Sequence, residues 1–476
     1  MRPNRLIMAF LILAGVVTIV AVALVTAVAS PRILVGAVFP LSSNAAGLAR
    51  EELRGVQLAA DLVNADGGVG GRRIELVVRD LASAGQAPAV MASLKADGVS
   101  TVIGAYSSDL SIAASAAADA DGLVYWEAGA VADRLTGRGL PLVFRVGASG
   151  TNLGTNSAHF AVQQLAPRLG KLPAELRVAI VSVQDDYAAS VADAAARTVT
   201  AAGVPIVARL SYSLEVPGFA GLMTTLAAAH PDILILASHI PDGIAFREAM
   251  LAAGLHVGAF IGSTMAECDP DFAGALGPDA VGVFASDRPV GGFRPDALDP
   301  TARAVYDRFA AAWSRATTAA DVRTNAGGDA ALGWAPQGRA TGGAETGPYA
   351  GPASPGSAAA MPATTISGPS SVLPWNGPTE EGISGFTAAW ALFHDVMPRA
   401  TGRDAAAIAA SARALDLPAG SLPNGAGLQF SSDPATLGQN ARAAAVIWQW
   451  QAVRSYTYVW PPTYATGSIA FVPLPR

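Results

Sequence analysis

The sequence predicts an α/β fold with two Rossmann-like lobes, each a parallel sheet with helices on both faces, joined by a hinge that the chain crosses several times. From Arg32 onward, short apolar runs alternate with amphipathic helical stretches. This alternation is typical of parallel sheets covered by helices. It pauses near residues 143–150 and then restarts, which indicates two similar halves rather than one long sheet.

The predicted strands are short apolar runs separated by segments long enough for a helix. They are residues 33–38, 74–78, 101–104 and 123–126 in the first half, and 178–183, 206–209, 233–236 and 258–262 in the second. Between the first two strands, residues 49–64 carry an apolar stripe at helical spacing.

Irregular stretches indicate where the chain passes between the halves. We expect residues 286–292 to return it to the first lobe and residues 422–430 to carry the last crossing. Several crossings form a hinge with limited twist, which suits a closing clamp. The expected boundaries are therefore residues 32–147 and 288–425 for lobe 1, and residues 148–287 and 426–476 for lobe 2.

One segment of lobe 1 is expected to be an insertion. Residues 316–372 are rich in Ala, Gly, Ser, Thr and Pro and show no apolar period. This composition predicts disordered or loosely ordered chain. A spacer across a cell wall is the alternative interpretation.

Charge and composition argue against several classes of function. The 476 residues carry a formal net charge of −6, and their basic residues are scattered, so no basic stripe is present to follow a nucleic acid. The one cysteine, Cys268, rules out a disulfide framework and a multi-cysteine zinc site. No nucleophile elbow, phosphate loop or metal-like histidine spacing is present. We therefore expect no enzyme, metal, cofactor or nucleic-acid partner.

The N-terminal segment predicts export. Residues 6–29 carry no charge and follow Arg2 and Arg5. As a helix they would be about 36 Å long, enough to cross a hydrocarbon core of about 30 Å. The positive charges favour a cytoplasmic N-terminal end, which places the folded part at the outer face of the membrane, in the periplasm or in the cell-wall space. Residues 1–30 are either a cleaved signal peptide or a retained anchor, and both remain open.

Two neighbouring strands end in candidate ligand-binding residues. Residues 101–104 lead into Tyr106, Ser107 and Ser108, where a helix begins. The N–H groups of a helix start attract an anion such as a ligand carboxylate. An ordinary helix cap without a ligand is the alternative.

The next strand ends in Trp126, Glu127 and Gly129. Ligands of open α/β sheets bind outside the carboxyl ends of the strands, so this segment is expected beside the first. Glu127 can pair with an ammonium or amide group, Trp126 can form a wall, and Gly129 lets the backbone come close. Alternatively, Trp126 lies in the core and Glu127 faces solvent.

Several short motifs follow one another in a characteristic order. They are Gly55 with residues 65–71, then 102–104, 135–139, 144–145, 185–187, 231–233 and 252–255. Over most of residues 32–292 the chain resembles the type I periplasmic binding proteins of the branched-chain amino-acid and amide family, the leucine-binding-like substrate-binding proteins of ABC transporters. The resemblance implies the type I fold and a solute held between two closing lobes.

The resemblance also implies site residues in the first lobe. Ser108 matches the residue that holds the ligand carboxylate, and Gly129 and Val131 lie on the segment that adds backbone bonds to the ligand head group. Phe386 matches an aromatic residue on a late helix. Val131 departs from the family pattern because it lacks the hydroxyl group often found there.

In the second lobe, Tyr187 matches the tyrosine that closes over the ligand, and His239 replaces another aromatic residue. Thr264 stands where the family has the acidic residue that meets the α-ammonium group. Either Glu127 or Glu267 supplies the missing charge, or the ligand is not a free α-amino acid. The resemblance therefore does not fix the solute.

The expected function is an extracytoplasmic solute-binding protein of an ABC importer that binds a small polar metabolite such as an amino acid, an amide or a urea-like solute. Its expected partners are the solute, an ABC permease with its ATPase subunits and, if residues 6–29 are uncleaved, the membrane. The alternative is a membrane-anchored, ligand-sensing ectodomain of a signalling system. Neighbouring genes would distinguish the two.

Overall fold

A computed structural model describes residues 32–325, 377–453 and 455–475. The predicted apolar segment 6–29 and most of the predicted insertion lie outside these residues. Within the three ranges, no helix has both the length and the hydrophobicity that crossing a membrane requires.

The first sheet is parallel throughout and has the strand order β2-β1-β3-β4-β5. Its strands are β1 (Arg32–Phe39), β2 (Arg73–Asp80), β3 (Thr101–Gly104), β4 (Val124–Glu127) and β5 (Val143–Arg145). Because β3 and β4 are neighbours in register, Gly104 beside Glu127, the two segments that follow them leave the sheet at the same edge.

The second sheet has the order β12-β11-β10-β9-β8-β6-β7. Its parallel strands are β6 (Val178–Val183), β7 (Ile206–Tyr212), β8 (Ile233–Ala237), β9 (Ala259–Ser263) and β10 (Phe284–Asp287). An antiparallel pair completes it, β11 (Val446–Ala452) and β12 (Ser455–Trp460).

Helices connect the strands and cover the sheets. In the first half they are α1 (Ala46–Ala65), α2 (Ala87–Ala96) and α3 (Ser108–Ala120), and in the second half α4 (Gly150–Phe160), α5 (Asp186–Ala201), α6 (Phe219–Ala229), α7 (Ile240–Ala252) and α8 (Pro270–Leu276). After β10 follow α9 (Pro300–Asn325), α10 (Glu380–Trp390) and α11 (Ala405–Ala414).

The predicted fold class and all eight predicted strands are confirmed. Each predicted segment coincides with a strand to within a few residues, and the predicted helix over residues 49–64 lies inside α1. One expectation was wrong in part. Residues 316–325 belong to the predicted insertion, but α9 continues through them to Asn325, because this Ala- and Arg-containing stretch extends a helix already formed at Pro300.

Each half has its own buried core. In the first half, the ring of Trp126 contacts those of Phe144 and Phe430 at centroid distances of 5.7 and 5.3 Å. In the second half, Phe246 packs against Phe219 and Phe260 at 5.6 and 6.3 Å. The apolar face of α1 enters the first core, as its stripe predicts.

Within the described ranges the chain crosses between the halves three times, and two of these crossings are hydrogen-bonded together. The buried guanidinium of Arg145, at the first crossing, donates to Gln439 Oε1 at 2.6 Å, and Asn440 Nδ2 donates to the Val146 carbonyl at 2.9 Å. The last crossing lies later than the expected residues 422–430. Residues of that stretch, such as Phe430, pack in the first core, and the chain joins the second sheet only at Val446.

Candidate functional site

The carboxyl ends of the two sheets bring helix starts of the two halves together. Helix α3 begins at Ser108 after β3, and α5 begins at Asp186 after β6. In the turn after β4, Arg134 forms an ion pair with Asp186 at 3.0 Å, and the Asp133 amide donates to Ser190 Oγ on α5 at 3.0 Å. The two lobes therefore touch directly beside the predicted ligand site.

Ser107 and Ser108 occupy the start of α3, as predicted. Ser107 is the N-cap residue with an extended backbone, and no side chain of the described residues caps this helix. Ser108 Oγ accepts a hydrogen bond from the Ala132 amide at 3.2 Å, which joins the helix start to the loop after β4. The uncapped first turn leaves N–H groups for an anionic group of a ligand.

Carboxyl groups also surround this helix start. Burial raises the pKa of Asp109, and the charges of Asp185 and Asp186 in the second lobe add to the increase. The positive charges of His239 and Arg134 oppose it. The helix start at Ser108, where an anionic group of a ligand is expected to bind, is therefore bordered by acidic groups on both lobes. The spacing of residues in the sequence did not reveal this feature.

His239 stands at the start of α7 and is held by Asp185. Its Nε2 lies 2.6 Å from Asp185 Oδ2, and its ring centroid lies 5.3 Å from that of Tyr187. Burial alone would lower the pKa of His239, but the hydrogen bond and charge of Asp185, together with the charges of Asp242 and Asp109, outweigh burial and raise it. The predicted pair Tyr187 and His239 is brought together on the second lobe, with a positive charge favoured on the imidazole.

The hydroxyl group of Tyr187 is used inside the second lobe. It lies 2.9 Å from the Ser238 carbonyl and 2.8 Å from the Ser263 carbonyl, and it accepts from Thr264 Oγ1 at 2.6 Å. Tyr187 is only 5% exposed. A solute would therefore contact the ring of Tyr187 and not its hydroxyl group. The hydroxyl group of Thr264 is used for the hydrogen bond to Tyr187.

The loop after β4 is organised by Glu127. Its Oε1 accepts from the amides of Gly129 and Ala130 at 2.8 and 2.7 Å, and the side chain is fully buried. Burial raises the pKa of Glu127 to about 7, against the opposing hydrogen bond from Ser111. The alternative interpretation, that Glu127 faces solvent, is wrong, because its buried carboxyl group caps its own loop.

The two other residues of this loop approach different partners. The Gly129 carbonyl accepts from the Arg288 guanidinium at 2.6 Å, and a carboxyl oxygen of Glu52 lies where a Gly129 side chain would stand. The Val131 carbonyl accepts from the Gly150 amide at 2.6 Å, and its side chain packs in the core of the second half. Of Gly129 and Val131, it is the backbone of Gly129 that lies beside charged groups, those of Arg288 and Glu52.

Trp126 and Phe386 are placed in the first-lobe core, away from the predicted roles beside a ligand. Trp126 is fully buried, contacts core rings and donates its indole N–H to the Ala388 carbonyl at 2.8 Å. Phe386 is also fully buried and stacks on Phe309 at 4.2 Å. Trp126 therefore links β4 of the first sheet to α10, and Phe386 packs α10 against α9.

Glu267 does not reach the first-lobe segments. It is fully buried in the second half against Gly262, and neither carboxyl oxygen has a hydrogen-bond partner among the described residues. Burial raises the pKa of Glu267 to about 8. Neither Glu127 nor Glu267 is therefore placed as an exposed counter-ion for a ligand.

A group of acidic residues that sequence reasoning missed lies between the lobes. It extends from α1 and the start of α10 to the second-lobe segments after β9 and at the end of β10, and it includes one counter-ion, Arg288. We call it the acidic cluster; its members are Glu51, Glu52, Asp269, Asp287, Glu380 and Glu381. The signal was available as two Glu-Glu pairs in a chain with only 14% charged residues.

Tyr106 connects this cluster to the predicted site. It precedes α3, has a left-handed backbone with φ of 78° and is half-buried. Burial raises the pKa of Tyr106 well above its ordinary value, and the charges of Glu381 and Glu380 add to the increase. The second-lobe residue Asp269 contributes as well, which shows that Tyr106 lies within range of both lobes.

Known proteins share the sequence and the fold. The chain is 33% identical over 254 residues to Leu/Ile/Val-binding protein homolog 8 of Brucella abortus (strain 2308), a match that covers 53% of this chain and 63% of that protein. The chain therefore spans less than two thirds of the length of this relative.

Solved structures match over a greater length. An ABC transporter substrate-binding protein from Desulfitobacterium hafniense matches with a TM-score of 0.62 and 20% identity, covering 90% of this chain and all of that one. The substrate-binding protein LivJ from Streptococcus pneumoniae, in complex with isoleucine, matches with a TM-score of 0.62 and 17% identity at the same coverage. These neighbours share the type I periplasmic binding protein fold. A family model described as periplasmic binding protein matches residues 32–334, so the chain belongs to the periplasmic binding protein family.

Proposed function

We propose that this protein is the extracytoplasmic solute-binding component of an ABC importer and that it holds a small polar metabolite between its two lobes. The single observation that carries the proposal is that the segments with Ser108 and Gly129 leave the first sheet at one edge, where Arg134 of the same loop forms an ion pair with Asp186 at a second-lobe helix start. Ligands of open α/β sheets bind at such edges.

The mechanism follows from contacts on both lobes. A solute that touches Ser108 on the first lobe and His239 on the second gains both sets of contacts only when the lobes are together. Its binding therefore shifts the population toward the closed arrangement by the free energy of the extra contacts. The three crossings restrict the relative movement of the lobes to a hinge-like closure.

The name of the Brucella relative and the isoleucine in the LivJ structure support a metabolite of amino-acid size. We further propose lobe boundaries at residues 147/148 and 287/288, as expected from the sequence, with the last boundary moved from residues 425/426 to between residues 430 and 446. We propose that the protein is exported, that an ABC permease and its ATPase subunits receive the solute, and that the chain itself catalyses no reaction.

The test begins with thermal-shift screening of the full chain against amino acids, amides, urea-like compounds, amines and small carboxylates. For a solute that binds, Ser108→Ala and His239→Ala should each weaken binding by roughly three- to tenfold, the loss of about one hydrogen bond. Ser93→Ala, at an exposed serine on α2 of the same lobe, is the matched control and should change nothing.

Transport is tested separately in the native host. Deletion of the gene should abolish uptake of the solute, and the intact gene should restore it. If uptake is unchanged while transcriptional responses to the solute disappear, the protein is a sensing ectodomain and the importer proposal is wrong.

A further inference from the structure

Glu52 is a buried carboxyl group without a hydrogen-bond partner. Its side chain is 1% exposed on α1, and neither oxygen bonds to any described residue. The carboxyl group points at the backbone of Gly129, at the carboxyl edge of the first sheet. A buried charge of this kind is strongly unfavourable unless a partner of opposite charge is present.

The acidic cluster around Glu52 draws residues from both lobes. Asp269, in the second lobe, lies close enough to Glu51 and Glu380 of the first lobe for their charges to raise its pKa, after burial as the main cause. The charge of Glu380 also raises the pKa of Asp287, at the end of β10, again after burial as the main cause. The cluster therefore contains carboxyl groups of both lobes within range of one another's charges.

Arg288 is the cation whose charge lowers the pKa of Glu52 and of Asp287, against the larger effect of burial. Arg288 contacts Glu380 at 2.5 Å and the Gly129 carbonyl at 2.6 Å, so its guanidinium is already shared. Arg54 lies near Glu51, and its guanidinium also stands over the Trp313 ring at 4.8 Å and donates to the Trp313 carbonyl. Among the described residues, no side chain forms a hydrogen bond with the carboxyl group of Glu52.

We propose that the acidic cluster binds an ammonium or guanidinium group of the solute and that the solute carries a net positive charge. The inference rests on the proposed function and names the class of solute. Tyr106 supports it, because an aromatic ring beside carboxyl groups can also hold a cation over its face. In the part of the chain that the structure describes, no His, Cys, Asp or Glu group is arranged to hold a metal ion, which favours an organic cation.

Proton release follows from this arrangement. Burial raises the pKa of Asp269 to about 7 and raises the pKa of Glu52 and of Glu381 well above their ordinary values. The charges of Glu127 and Glu380 add to the increase at Glu52, and that of Arg288 opposes it. At Glu381, the charges of Glu380, Glu51 and Asp269 add to the increase. At Asp269, those of Asp271, Glu51 and Glu380 do so.

Raised pKa values mean that part of the cluster is protonated near pH 7 before a cation arrives. A bound cation favours the carboxylate form, so binding releases protons and affinity rises as the pH rises from 6 to 8. The affinity for a solute that places no net charge at this cluster would not rise with pH in this way.

The experiment is titration calorimetry of the full chain with five probes: 1,4-diaminobutane, agmatine, L-arginine, L-leucine and propionamide. At least one of the first three should bind at pH 8 at least about tenfold more tightly than either neutral probe. Repeating the titration in buffers of different ionisation enthalpy should show protons leaving the protein on binding.

Variants locate the effect. Glu52→Gln and Glu381→Gln should each lower the affinity for the cationic probe by about tenfold or more and reduce the number of protons released on binding. Glu75→Gln is the matched control, because Glu75 pairs with Arg32 on the surface of the same lobe, and it should bind as the parent does. Thermal unfolding without a probe should show Glu52→Gln folded and about as stable as the parent, since glutamine is uncharged, like the protonated carboxyl group, and keeps the shape.

The outcomes separate this inference from the proposed function. If L-leucine or propionamide binds and none of the cationic probes does, the inference is overturned and solute binding stands. If a cationic probe binds equally well to folded Glu52→Gln and Glu381→Gln, the cluster is not its site and the inference also fails. If no probe in the set binds and no compound in the wider screen does, both are overturned.

Discussion

The loop after β4 depends on a single carboxyl group, that of Glu127. Two buried amides, those of Gly129 and Ala130, donate to one oxygen of this side chain. Glu127→Ala leaves both amides without that acceptor, so we expect the free energy of unfolding to fall by about 2–4 kcal/mol. Urea-induced unfolding followed by circular dichroism measures the change.

The control for this prediction is Glu127→Gln. The glutamine carbonyl oxygen can still accept from both amides, and the uncharged side chain avoids the cost of burying a carboxylate. We expect it to stay within about 1 kcal/mol of the parent at pH 7. Equal losses for the alanine and glutamine variants would show that the two hydrogen bonds do not stabilise the loop.

At the scale of single residues, the sequence predicted positions better than contacts. Ser108 lies at a helix start because strand and helix patterns fix where β3 ends and α3 begins. The partners of Tyr187 were not predictable, because its hydroxyl meets carbonyls from β9 and from the segment after β8, distant in sequence. The acidic cluster was missed for the same reason.

Helices α1 and α10 approach each other through glycines. A side chain on Gly55 would overlap the backbone of Gly382 and Phe386, and one on Gly385 would overlap the backbone of Glu52. Gly55→Ala must push the helices apart, so we expect a loss of roughly 1–3 kcal/mol from overpacking. Because Glu52 lies on the same helix, binding of the solute should weaken as well, as measured by calorimetry.

Gly221→Ala is the matched control for Gly55→Ala. Gly221 lies exposed on α6, and nothing stands within 4 Å of the position of an added side chain. Alanine should raise the free energy of unfolding there by up to about 1 kcal/mol through its higher helix propensity. We expect urea unfolding to show a lower free energy of unfolding for Gly55→Ala and a higher one for Gly221→Ala than for the parent. A stabilising Gly55→Ala would contradict the close helix contact.

At the scale of elements, local pattern sufficed for the central strands and failed for others. The eight predicted strands are apolar runs bounded by loops, a signal contained within each segment. Strand β5 has only three residues, and β11 owes its place to antiparallel pairing with β10, about 160 residues earlier in the chain, while β12 pairs with β11. Pairing of this kind depends on tertiary contacts rather than on local sequence.

For the whole molecule, several polar contacts join the lobes, and one of them is an exposed ion pair. The Arg134–Asp186 pair joins the lobes, and both side chains are largely exposed, at 62% and 40%. The Arg32–Glu75 pair has a similar exposure of 59% and 45% but lies within the first sheet. The two pairs differ mainly in whether lobe closure is needed to form them.

Arg134→Ala should therefore weaken solute binding, whereas Arg32→Ala should not. An exposed ion pair contributes about 0–1 kcal/mol, so the expected loss of affinity is at most about fivefold and should disappear at high salt. Small-angle scattering without solute should show a larger radius of gyration for Arg134→Ala, because fewer molecules are closed. If both variants bind solute as the parent does at low salt and show the same radius of gyration, the pair does not help to hold the lobes together.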